Sequence, residues 1–402
     1  MSLFLKVVPA SDAIAIVRHL ARTVDAEYIP LTEAVGRVLS KNIKADIDIP
    51  GYDRSVVDGF AVRAADTIGA NDAIPAMLRS KGRVEMGGNI QRTSIDPGQC
   101  FYVPTGGVLP KGANAVVMLE NAENVGDEIL IKKPVAHREN VLLYNEDFSK
   151  GELVICRGKR LTSQDIGVLA AVGCIQVPVF LKPIIGVLST GNELVSATEV
   201  PGSGQIRDSN SNMVGSFVQE RGCHPKYFGI VKDNQESLYA ILKKAVAECD
   251  AVLISGGSSK DDRDMVASLI GDLGEVLIHG IAIAPGKPTI IGCSDQKPII
   301  GLPGHPASAF IVLFVIVRHL IDGMTGDASP QQEKVRARIN QNVPSQKGRE
   351  DYVRVFVEGE KATPLFGKSG LLNTLVRSNG VIQIPAESEG LEVGDLVEVW
   401  LW

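Results

Sequence analysis

The sequence predicts a multidomain protein that joins a largely parallel α/β domain to smaller β domains. The chain has 402 residues, whereas a single hydrophobic core rarely extends beyond ~250–300 residues. Uninterrupted apolar segments alternate with helical segments between residues 183 and 326, a pattern typical of a sheet covered on both faces. Closely spaced Gly and Pro turns separate short apolar segments in residues 46–144, which predicts a small β domain there. Residues 327–402 alternate like an antiparallel sheet and predict a second β domain.

The first region is predicted to be a discontinuous helical domain, residues 1–45 and 145–182, interrupted by the β domain at 46–144. Ser11 is a suitable N-cap for a helix over residues 11–24, in which Ile14, Val17 and Leu20 recur with helical spacing. Further helices are predicted over 32–39 and Ser163–Val172. The inserted domain contains strand-like segments at Ala115–Leu119 and Glu128–Ile131.

The α/β domain is predicted to span residues 183–326, followed by a C-terminal β domain over 327–402. The apolar segment Ala307–Val317 would form a helix about 17 Å long, well short of the ~30 Å membrane core, and is therefore predicted to be a buried helix. The predicted strands of the α/β domain are Ile184–Leu188, Tyr227–Val231, Ala251–Ile254, Val276–Ile281, Thr289–Ile291 and Pro298–Leu302. Its predicted helices are Asn210–Arg221, Glu236–Ala247, Asp264–Ile270 and Ala307–Ile321, and the C-terminal strands are Tyr352–Val357, Val381–Ile384 and Leu396–Trp402.

Composition excludes several functional classes. The net charge of 41 − 47 = −6 argues against non-specific nucleic-acid binding, which needs a broad basic face. The six cysteines form no C-x-x-C pair, so a disulfide framework or structural zinc site is not expected. Met1–Pro9 lacks the features of a signal peptide. We therefore expect a cytoplasmic protein without a membrane or nucleic-acid partner.

Glycine- and hydroxyl-rich loops follow several predicted strands of the α/β domain. Ligands of open α/β sheets bind at the carboxyl ends of the strands, and such loops expose backbone N–H groups that suit phosphate or another oxyanion. None of the loops matches the P-loop or dinucleotide fingerprint. The predicted substrate-binding residues are Gly191, Asn192, Asp208, Ser209, Asn210, Ser255, Gly256, Gly257, Ser258, Pro285, Gly286, Lys287, Pro303, Gly304, His305 and Ser308.

Carboxylates lie among these loops and suggest a Mg²⁺ site. Mg²⁺ takes oxygen ligands from one or two acids together with substrate phosphates. For Glu193 and Asp264 a metal or catalytic role is the preferred interpretation. For Asp261 and Asp262 a solvated acidic face or helix capping is an equal alternative. For His305, helix capping and ligand binding both stay open.

Seven ordered sequence motifs span almost the whole chain. The pattern P-x-F-D-x-S-x-x-D-G-[YF]-A-V is met at 50–62 with Tyr52 in place of Phe, and T-G-A-x-x-P-x-G-A-[DN]-A-V-V at 105–117 with Gly107 in place of Ala. S-T-G-[ND]-E-L at 189–194, D-S-N at 208–210, S-G-G-x-S at 255–259, P-G-K-P at 285–288 and G-L-P-G-x-P-x-S at 301–308 follow in order. Near the C-terminus follow Gly348-Arg349, Tyr352, Arg354 and Ser369-Gly370. In this order the motifs resemble the molybdopterin molybdenumtransferase family, which comprises MoeA and the gephyrin E domain.

This resemblance implies both a reaction and an architecture. The family inserts molybdate, or tungstate, into adenylylated molybdopterin with Mg²⁺-assisted release of AMP. Its fold combines a MogA/MoaB-like pterin-binding domain with a discontinuous helical domain, an inserted β domain and a C-terminal β-barrel-like domain. Members form homodimers that share the site and hand the cofactor to or from other biosynthetic proteins. By motif position, Asp58 and Thr105 would act across the dimer, and Glu193, Asp233 and Asp264 would be catalytic residues and Mg²⁺ ligands.

Several positions depart from the family pattern, and two other functions compete with the transferase. Ala284 stands where many members have lysine, His305 where bacterial members have asparagine, Arg207 where tyrosine is common, and Lys260-Asp261 replaces a more apolar step. Arg207 and His305 are the candidates to restore the lost positive charge; altered metal choice or weaker activity is the alternative. The competing functions are a non-catalytic scaffold and a pterin adenylyltransferase or nucleotide pyrophosphatase. Retention of the motif acids and the match of residues 1–180 favour the transferase.

Overall fold

The computed structural model describes residues 7–87, 93–256, 260–328 and 332–402, without the side chains of 260–264. This part of the chain divides into two compact units. The first unit comprises Met1–Lys41, Arg157–Thr162 and Val177–Trp402, and the second comprises Asn42–Cys156 and Ser163–Gln176. The predicted division into four domains stays a prediction.

The helices and strands are numbered in chain order. The helices are α1 (Ala10–Leu20), α2 (Ser163–Ala171), α3 (Asn210–Glu220), α4 (Gln235–Glu248), α5 (Lys260–Leu273), α6 (Pro306–Val312), α7 (Arg318–Thr325) and α8 (Asn373–Arg377). The strands up to residue 180 are β1 (Ala26–Pro30), β2 (Ile43–Lys44), β3 (Arg54–Ser55), β4 (Gly59–Val62), β5 (Ala76–Arg83), β6 (Gln99–Val103), β7 (Ala115–Met118), β8 (Ala122–Val125), β9 (Glu128–Ile131), β10 (Val141–Leu142), β11 (Leu153–Ile155) and β12 (Gln176–Phe180). The later strands are β13 (Ile184–Thr190), β14 (Leu194–Val195), β15 (Ile206–Arg207), β16 (His224–Val231), β17 (Ala251–Gly256), β18 (Glu275–His279), β19 (Ile283–Ala284), β20 (Ile290–Ser294), β21 (Lys297–Leu302), β22 (Lys334–Ile339), β23 (Val343–Pro344), β24 (Glu350–Glu358), β25 (Lys361–Pro364), β26 (Gly380–Ile384), β27 (Gly390–Leu391) and β28 (Leu396–Leu401).

The second unit is built on a mixed sheet with the strand order β7-β4-β6-β5-β9-β8 among the described residues. Phe60, Val117 and Ile129 lie in its buried core. Gly59 allows the close approach of β4 and β7, because a Cβ at this position would lie 2.0 Å from the carbonyl oxygen of Val117. The inserted β region expected from the Gly and Pro spacing is thus confirmed as a sheet.

The predicted helix over residues 32–39 is wrong. A short 3₁₀ turn, Leu31–Glu33, is formed instead, and Gly36 then adopts a positive φ of 75°. The backbone N–H groups of Leu39 and Ser40 donate to the carbonyl oxygens of Lys159 and Pro178. The apolar residues of this segment have helical spacing, which led to the prediction of a helix. Its backbone groups instead form hydrogen bonds with distant segments of the chain. The first helix also ends at Leu20 rather than at residue 24.

The α/β sheet of the first unit has the strand order β16-β13-β17-β21-β20-β18 in the described structure. The four strands β16, β13, β17 and β21 are parallel neighbours, and β20 runs antiparallel to β21 and β18. Helices α1 and α3 pack on one face, and α4 and α5 pack on the other. The largely parallel, doubly covered sheet is therefore confirmed. Its antiparallel strand follows from the tight turn at Asp295 and Gln296, which both have positive φ.

One long helix runs through the core of the first unit. Helix α6, a π-helical segment over Leu313–Val317, and α7 are continuous along the chain. Within the described residues, Pro306–Thr325 has the length and apolar composition of a membrane-spanning helix. Its most apolar part is nevertheless 83% buried inside the protein. The predicted buried helix is confirmed.

The C-terminal strands close on themselves. Strands β24, β25, β22, β28 and β26 pair in this order, and β26 pairs back to β24. This confirms the β-barrel-like C-terminal domain. Strand β19 pairs in parallel with the start of β24, through Ile283 with Glu350 and Ala284 with Asp351. The pairing holds the loop that begins at Pro285 against the C-terminal strands.

Candidate functional site

The carboxyl ends of β13, β17 and β21 lie at one edge of the α/β sheet. The side-chain amide of Asn210, the first residue of α3, donates to the Oγ of Ser255 and to the carbonyl oxygen of Gly304, both at 2.8 Å. Because the carbonyl oxygen of Gly304 can only accept, the amide nitrogen of Asn210 must face it and the Oγ of Ser255. Three of the predicted loops are therefore joined by direct hydrogen bonds.

Glycine is required where the end of β17 packs against the end of β13. Gly256 has φ +153°, and a Cβ there would lie 2.2 Å from the carbonyl oxygen of Thr190. A side chain would push the ends of β13 and β17 apart. Close backbone packing thus explains the glycine at the end of β17.

The loops after β19 and β21 line a cavity of about 240 Å³. Lys287 and His305 stand on these two loops, and the barrel contributes Arg349 and Ser369. The cavity brings together a further set of predicted residues and their neighbours: Ile283, Ala284, Pro285, Gly286, Pro288, Pro303, Gly304 and Ser308. Basic side chains and exposed loop backbone at one cavity suit an oxyanion.

Two polar contacts hold the barrel residues at this cavity. The Nδ1 atom of His305 lies 3.0 Å from the Oγ of Ser369. The Nε of Arg349 donates to Oδ1 of Asp351 at 2.9 Å, and Ser345 donates to the other carboxylate oxygen at 2.8 Å. Asp351 thus orients Arg349 and offsets part of its charge.

Arg349 and Ser369 were not among the residues predicted to bind substrate. A neighbouring cavity of about 210 Å³ also contains both of them, together with Arg354. Burial lowers the pKa of the Arg354 guanidinium. The resemblance included these positions as sequence matches, but no local pattern tied them to the α/β loops. Their position at the cavity follows from the pairing of β19 with β24, which the sequence does not reveal.

Asp233 and Asn192 fix the loop after β13. The carboxylate of Asp233 accepts from the hydroxyl of Thr190 at 2.7 Å and from the backbone N–H of Asn192 at 3.1 Å. The backbone N–H of Asp233 in turn donates to the side chain of Asn192 at 3.3 Å. The next residue, Glu193, is exposed. Its backbone carbonyl oxygen accepts from the N–H of Ile206 at 2.9 Å, whereas its carboxylate has no hydrogen-bond or ion-pair partner among the described residues. Asp233 therefore supports the loop, and Glu193 has a carboxylate available to a ligand.

Asp208 and Ser209 precede helix α3. Asp208 is buried, and its Oδ1 accepts from the backbone N–H of Ser211 at 3.0 Å. The carboxylate therefore satisfies one free N–H group at the start of the helix. Ser209 makes no side-chain cap hydrogen bond.

Some predicted residues lie outside the description. Gly257 and Ser258 fall outside the described residues, and Asp261, Asp262 and Asp264 belong to the part of α5 whose side chains are not described. Among the side chains that are described, no three His, Cys, Asp or Glu residues are grouped so as to hold a metal ion. The predicted set of Glu193, Asp233 and Asp264 thus stays a prediction.

In the second unit, Asp58 and Thr105 are neighbours. The backbone N–H of Thr105 donates to Oδ1 of Asp58 at 2.9 Å. Both residues are exposed or partly exposed. The two motifs that carry them are thus brought together by the fold, and each leaves side-chain oxygen atoms facing solvent.

Of the two residues considered as replacements for the missing lysine, only His305 is at the cavity. Ala284 and His305 both line it. The Nε of Arg207 donates to the carbonyl oxygen of Glu199 at 2.8 Å, and Arg207 is not part of the cavity wall.

Family models and relatives match along almost the whole chain. The model of the MoeA N-terminal region (domain I and II) matches residues 8–173, the model described as "Probable molybdopterin binding domain" matches 186–322, and the model of the MoeA C-terminal region (domain IV) matches 336–402. A Methanocaldococcus jannaschii protein named for molybdopterin biosynthesis is 34% identical, with 100% of both chains covered. The molybdopterin molybdenumtransferase of Bacillus subtilis is 30% identical, covering 98% of this chain and 94% of its own. The crystal structure of a molybdopterin biosynthesis MoeA protein from Pyrococcus horikoshii OT3 has a TM-score of 0.89 at 35% identity, covering 99% of this chain and 100% of its own.

Proposed function

The chain belongs to the MoeA family of molybdenum cofactor biosynthesis proteins, and we propose that it is a molybdopterin molybdenumtransferase that inserts molybdate or tungstate into adenylylated molybdopterin and releases AMP. The observation that carries the proposal is the cavity between the α/β loops and the barrel. It combines Lys287 and Arg349 with the loop backbone of Gly304. Such a site matches a small, doubly charged oxyanion.

The protein's part in this reaction is positioning and charge neutralisation. Lys287 and Arg349 would hold the oxyanion, and Asp351 keeps the Arg349 guanidinium in a fixed orientation through its 2.9 Å contact. Asn210 ties Ser255, near the end of β17, to the carbonyl oxygen of Gly304 after β21, so these two strand ends are held together beside the place where the pterin-nucleotide phosphates would bind. Preorganised donors of this kind stabilise charge that develops during bond cleavage.

We also propose that a Mg²⁺ ion binds at the end of β13. Glu193 has a carboxylate without a protein partner in the described structure, and Mg²⁺ commonly takes one or two acids together with substrate phosphates. We propose Glu193 as a direct ligand and Asp264 as a second, with Asp233 as the residue that holds the loop of Glu193 through Thr190 and Asn192. When bound, the ion would neutralise phosphate charge.

The decisive experiment is an assay of the purified protein with adenylylated molybdopterin, Mg²⁺, and molybdate or tungstate. We expect AMP release that depends on the oxyanion. Release of AMP at the same rate without either oxyanion would instead favour a nucleotide pyrophosphatase. Absence of any release, with the pterin still bound, would favour the non-catalytic scaffold.

Arg349→Gln is expected to lower the affinity for molybdate at least ~10-fold, because a charge-assisted hydrogen bond to an anion is removed. The affinity should be measured by calorimetry. The matched control is Lys347→Gln, since Lys347 is exposed, pairs with Glu389 at 3.0 Å and does not line the cavity. Equal losses in the two variants would mean that only general surface charge matters.

We further propose a homodimer in which Asp58 and Thr105 of one subunit complete the site of the other. The proposal is supported by the exposed apolar side chains near these residues, among them Val56 (48% exposed) and Met86 (63%). Met86 lies 3.5 Å from the Cβ position of Gly106, next to Thr105. Apolar side chains exposed beside polar functional groups are typical of an interaction surface.

Mixing two inactive variants tests this arrangement. Asp58→Ala and Glu193→Gln should each be inactive alone, whereas a refolded equimolar mixture should recover about a quarter of wild-type activity, since half of the dimers are mixed and each has one intact site. A mixture of Asp58→Ala with Asp58→Asn is the control and should stay inactive. No recovery in the first mixture would contradict a site shared between subunits.

We also propose that the protein is cytoplasmic, that it exchanges its pterin with other cofactor-biosynthesis proteins, and that it binds neither nucleic acid nor membrane. The net charge of −6 supports the exclusion of nucleic acid.

A further inference from the structure

We propose that His305, acting with Ser369, makes the oxyanion affinity of the cavity depend on pH, so that the oxyanion binds more tightly when the imidazole is protonated. This inference rests on the proposed function, because it assigns the 240 Å³ cavity to an oxyanion. It names His305 as a residue that sets affinity for the anion.

The cavity has few positive charges, and one of them is partly offset. Lys287 and Arg349 line it, and Arg349 donates to Asp351 at 2.9 Å. Ala284 adds no charge on the wall that it forms. An additional positive charge on His305 would therefore be a large fraction of the total positive charge of the cavity and would strengthen its attraction for a dianion.

His305 is placed to provide that charge. It lines the cavity, is exposed to solvent at the start of α6, and makes no side-chain cap hydrogen bond to the helix. The imidazole is therefore not occupied as a helix cap. Histidine is the side chain whose charge changes near neutral pH, whereas lysine and arginine stay charged there.

The contact with Ser369 adds a second effect of protonation. The Nδ1 atom of His305 and the Oγ of Ser369 are 3.0 Å apart. In the neutral tautomer with Nδ1 unprotonated, the hydroxyl of Ser369 must donate to the ring. In the protonated ring both nitrogens are donors, so Ser369 accepts from Nδ1–H and its own hydrogen is free to turn toward another acceptor. Protonation then supplies the cavity with a charge and with an additional hydroxyl donor.

The other charged residues near the contact between His305 and Ser369 are lysine, arginine and aspartate. Lys287 comes from the loop after β19, and Arg349, Asp351 and Arg354 come from the start of the barrel. Lys368 precedes Ser369 in the chain. Among the described residues that line the two cavities, His305 is the one histidine.

The test is calorimetric titration of the full-length protein with molybdate and with sulfate at pH 6 and pH 8. For the wild type we expect about fivefold tighter binding at pH 6, since one added charge in a partly exposed site has an effect of this order. His305→Asn should bind at both pH values as the wild type binds at pH 8. Ser369→Ala should keep part of the pH dependence, because it retains the charge and loses the hydroxyl. His224→Asn, on the exposed strand β16, is the control and should behave as the wild type.

Distinct outcomes separate this inference from the proposed function. Binding that is lost in Arg349→Gln but is equally tight at pH 6 and pH 8 in the wild type would overturn the role of His305 alone. An unchanged pH dependence in His305→Asn, and in a second variant His305→Gln, would do the same. Failure of molybdate and sulfate to bind at either pH would overturn both proposals. A similar pH effect for both anions is expected, because charge rather than metal identity is recognised.

Discussion

Glu193→Gln is expected to reduce molybdate-dependent AMP release at least ~100-fold, a loss comparable to that of a preorganised electrostatic contact in other active sites. The variant keeps the size of the side chain and removes its charge. Because Glu193 is exposed and its carboxylate makes no hydrogen bond or ion pair within the described residues, the fold should not depend on that carboxylate. The free energy of unfolding is therefore expected to stay within ~0.5 kcal/mol of the wild type, as for most surface substitutions.

The measurement pairs initial rates of AMP release with urea-induced unfolding. If Glu193 holds Mg²⁺, the residual activity of the variant should require a higher Mg²⁺ concentration than the wild type. The control is Glu199→Gln. Glu199 is an exposed glutamate on the segment after β14, and its backbone oxygen, not its carboxylate, contacts Arg207. Normal turnover in Glu193→Gln would remove this residue from the site, and equal loss in both variants would point to the charge of the loop as a whole.

The second large effect is expected on stability. Gly256→Ala should lower the free energy of unfolding by about 3 kcal/mol or more, through backbone strain and overpacking together. The new Cβ would lie 2.2 Å from the carbonyl oxygen and 2.4 Å from the Cγ2 of Thr190. Neither can move without disturbing β13, which pairs with β17 at this point through Thr190 and Gly256. The φ of +153° adds to the cost.

Gly271→Ala provides the matched control for this prediction. Gly271 lies in helix α5, and a Cβ there would meet no atom within 4 Å. Alanine is more favourable than glycine in a helix by up to ~1 kcal/mol, so this variant is expected to be as stable as the wild type or more so. Both should be measured by urea unfolding followed by circular dichroism. Equal stability of Gly256→Ala and the wild type would show that the ends of β13 and β17 can separate freely.

Much of the α/β domain could be predicted from the sequence because its elements are long and strongly patterned. The strand expected at Ile184–Leu188 is formed as Ile184–Thr190, and the helix expected at Asn210–Arg221 as Asn210–Glu220. Buried parallel strands are continuous apolar segments, and this pattern does not depend on distant contacts. The segment 32–39 failed for the opposite reason. Its conformation is set by hydrogen bonds from Leu39 and Ser40 to residues more than a hundred positions away.

The candidate site shows the same division. The amino-acid sequence alone was enough to predict the α/β strands and to select Lys287 and His305 as candidate anion-binding residues on the loops that follow them, because glycine-rich turns after apolar strands are local signals. Only the tertiary structure decided that Arg349 and Ser369 belong to the same cavity and that Asp233 supports its loop while Glu193 is left available. These facts depend on the pairing of β19 with β24 and on hydrogen bonds between residues far apart in the chain. Periodicity along a sequence does not encode which distant strand or carboxylate such a contact will use.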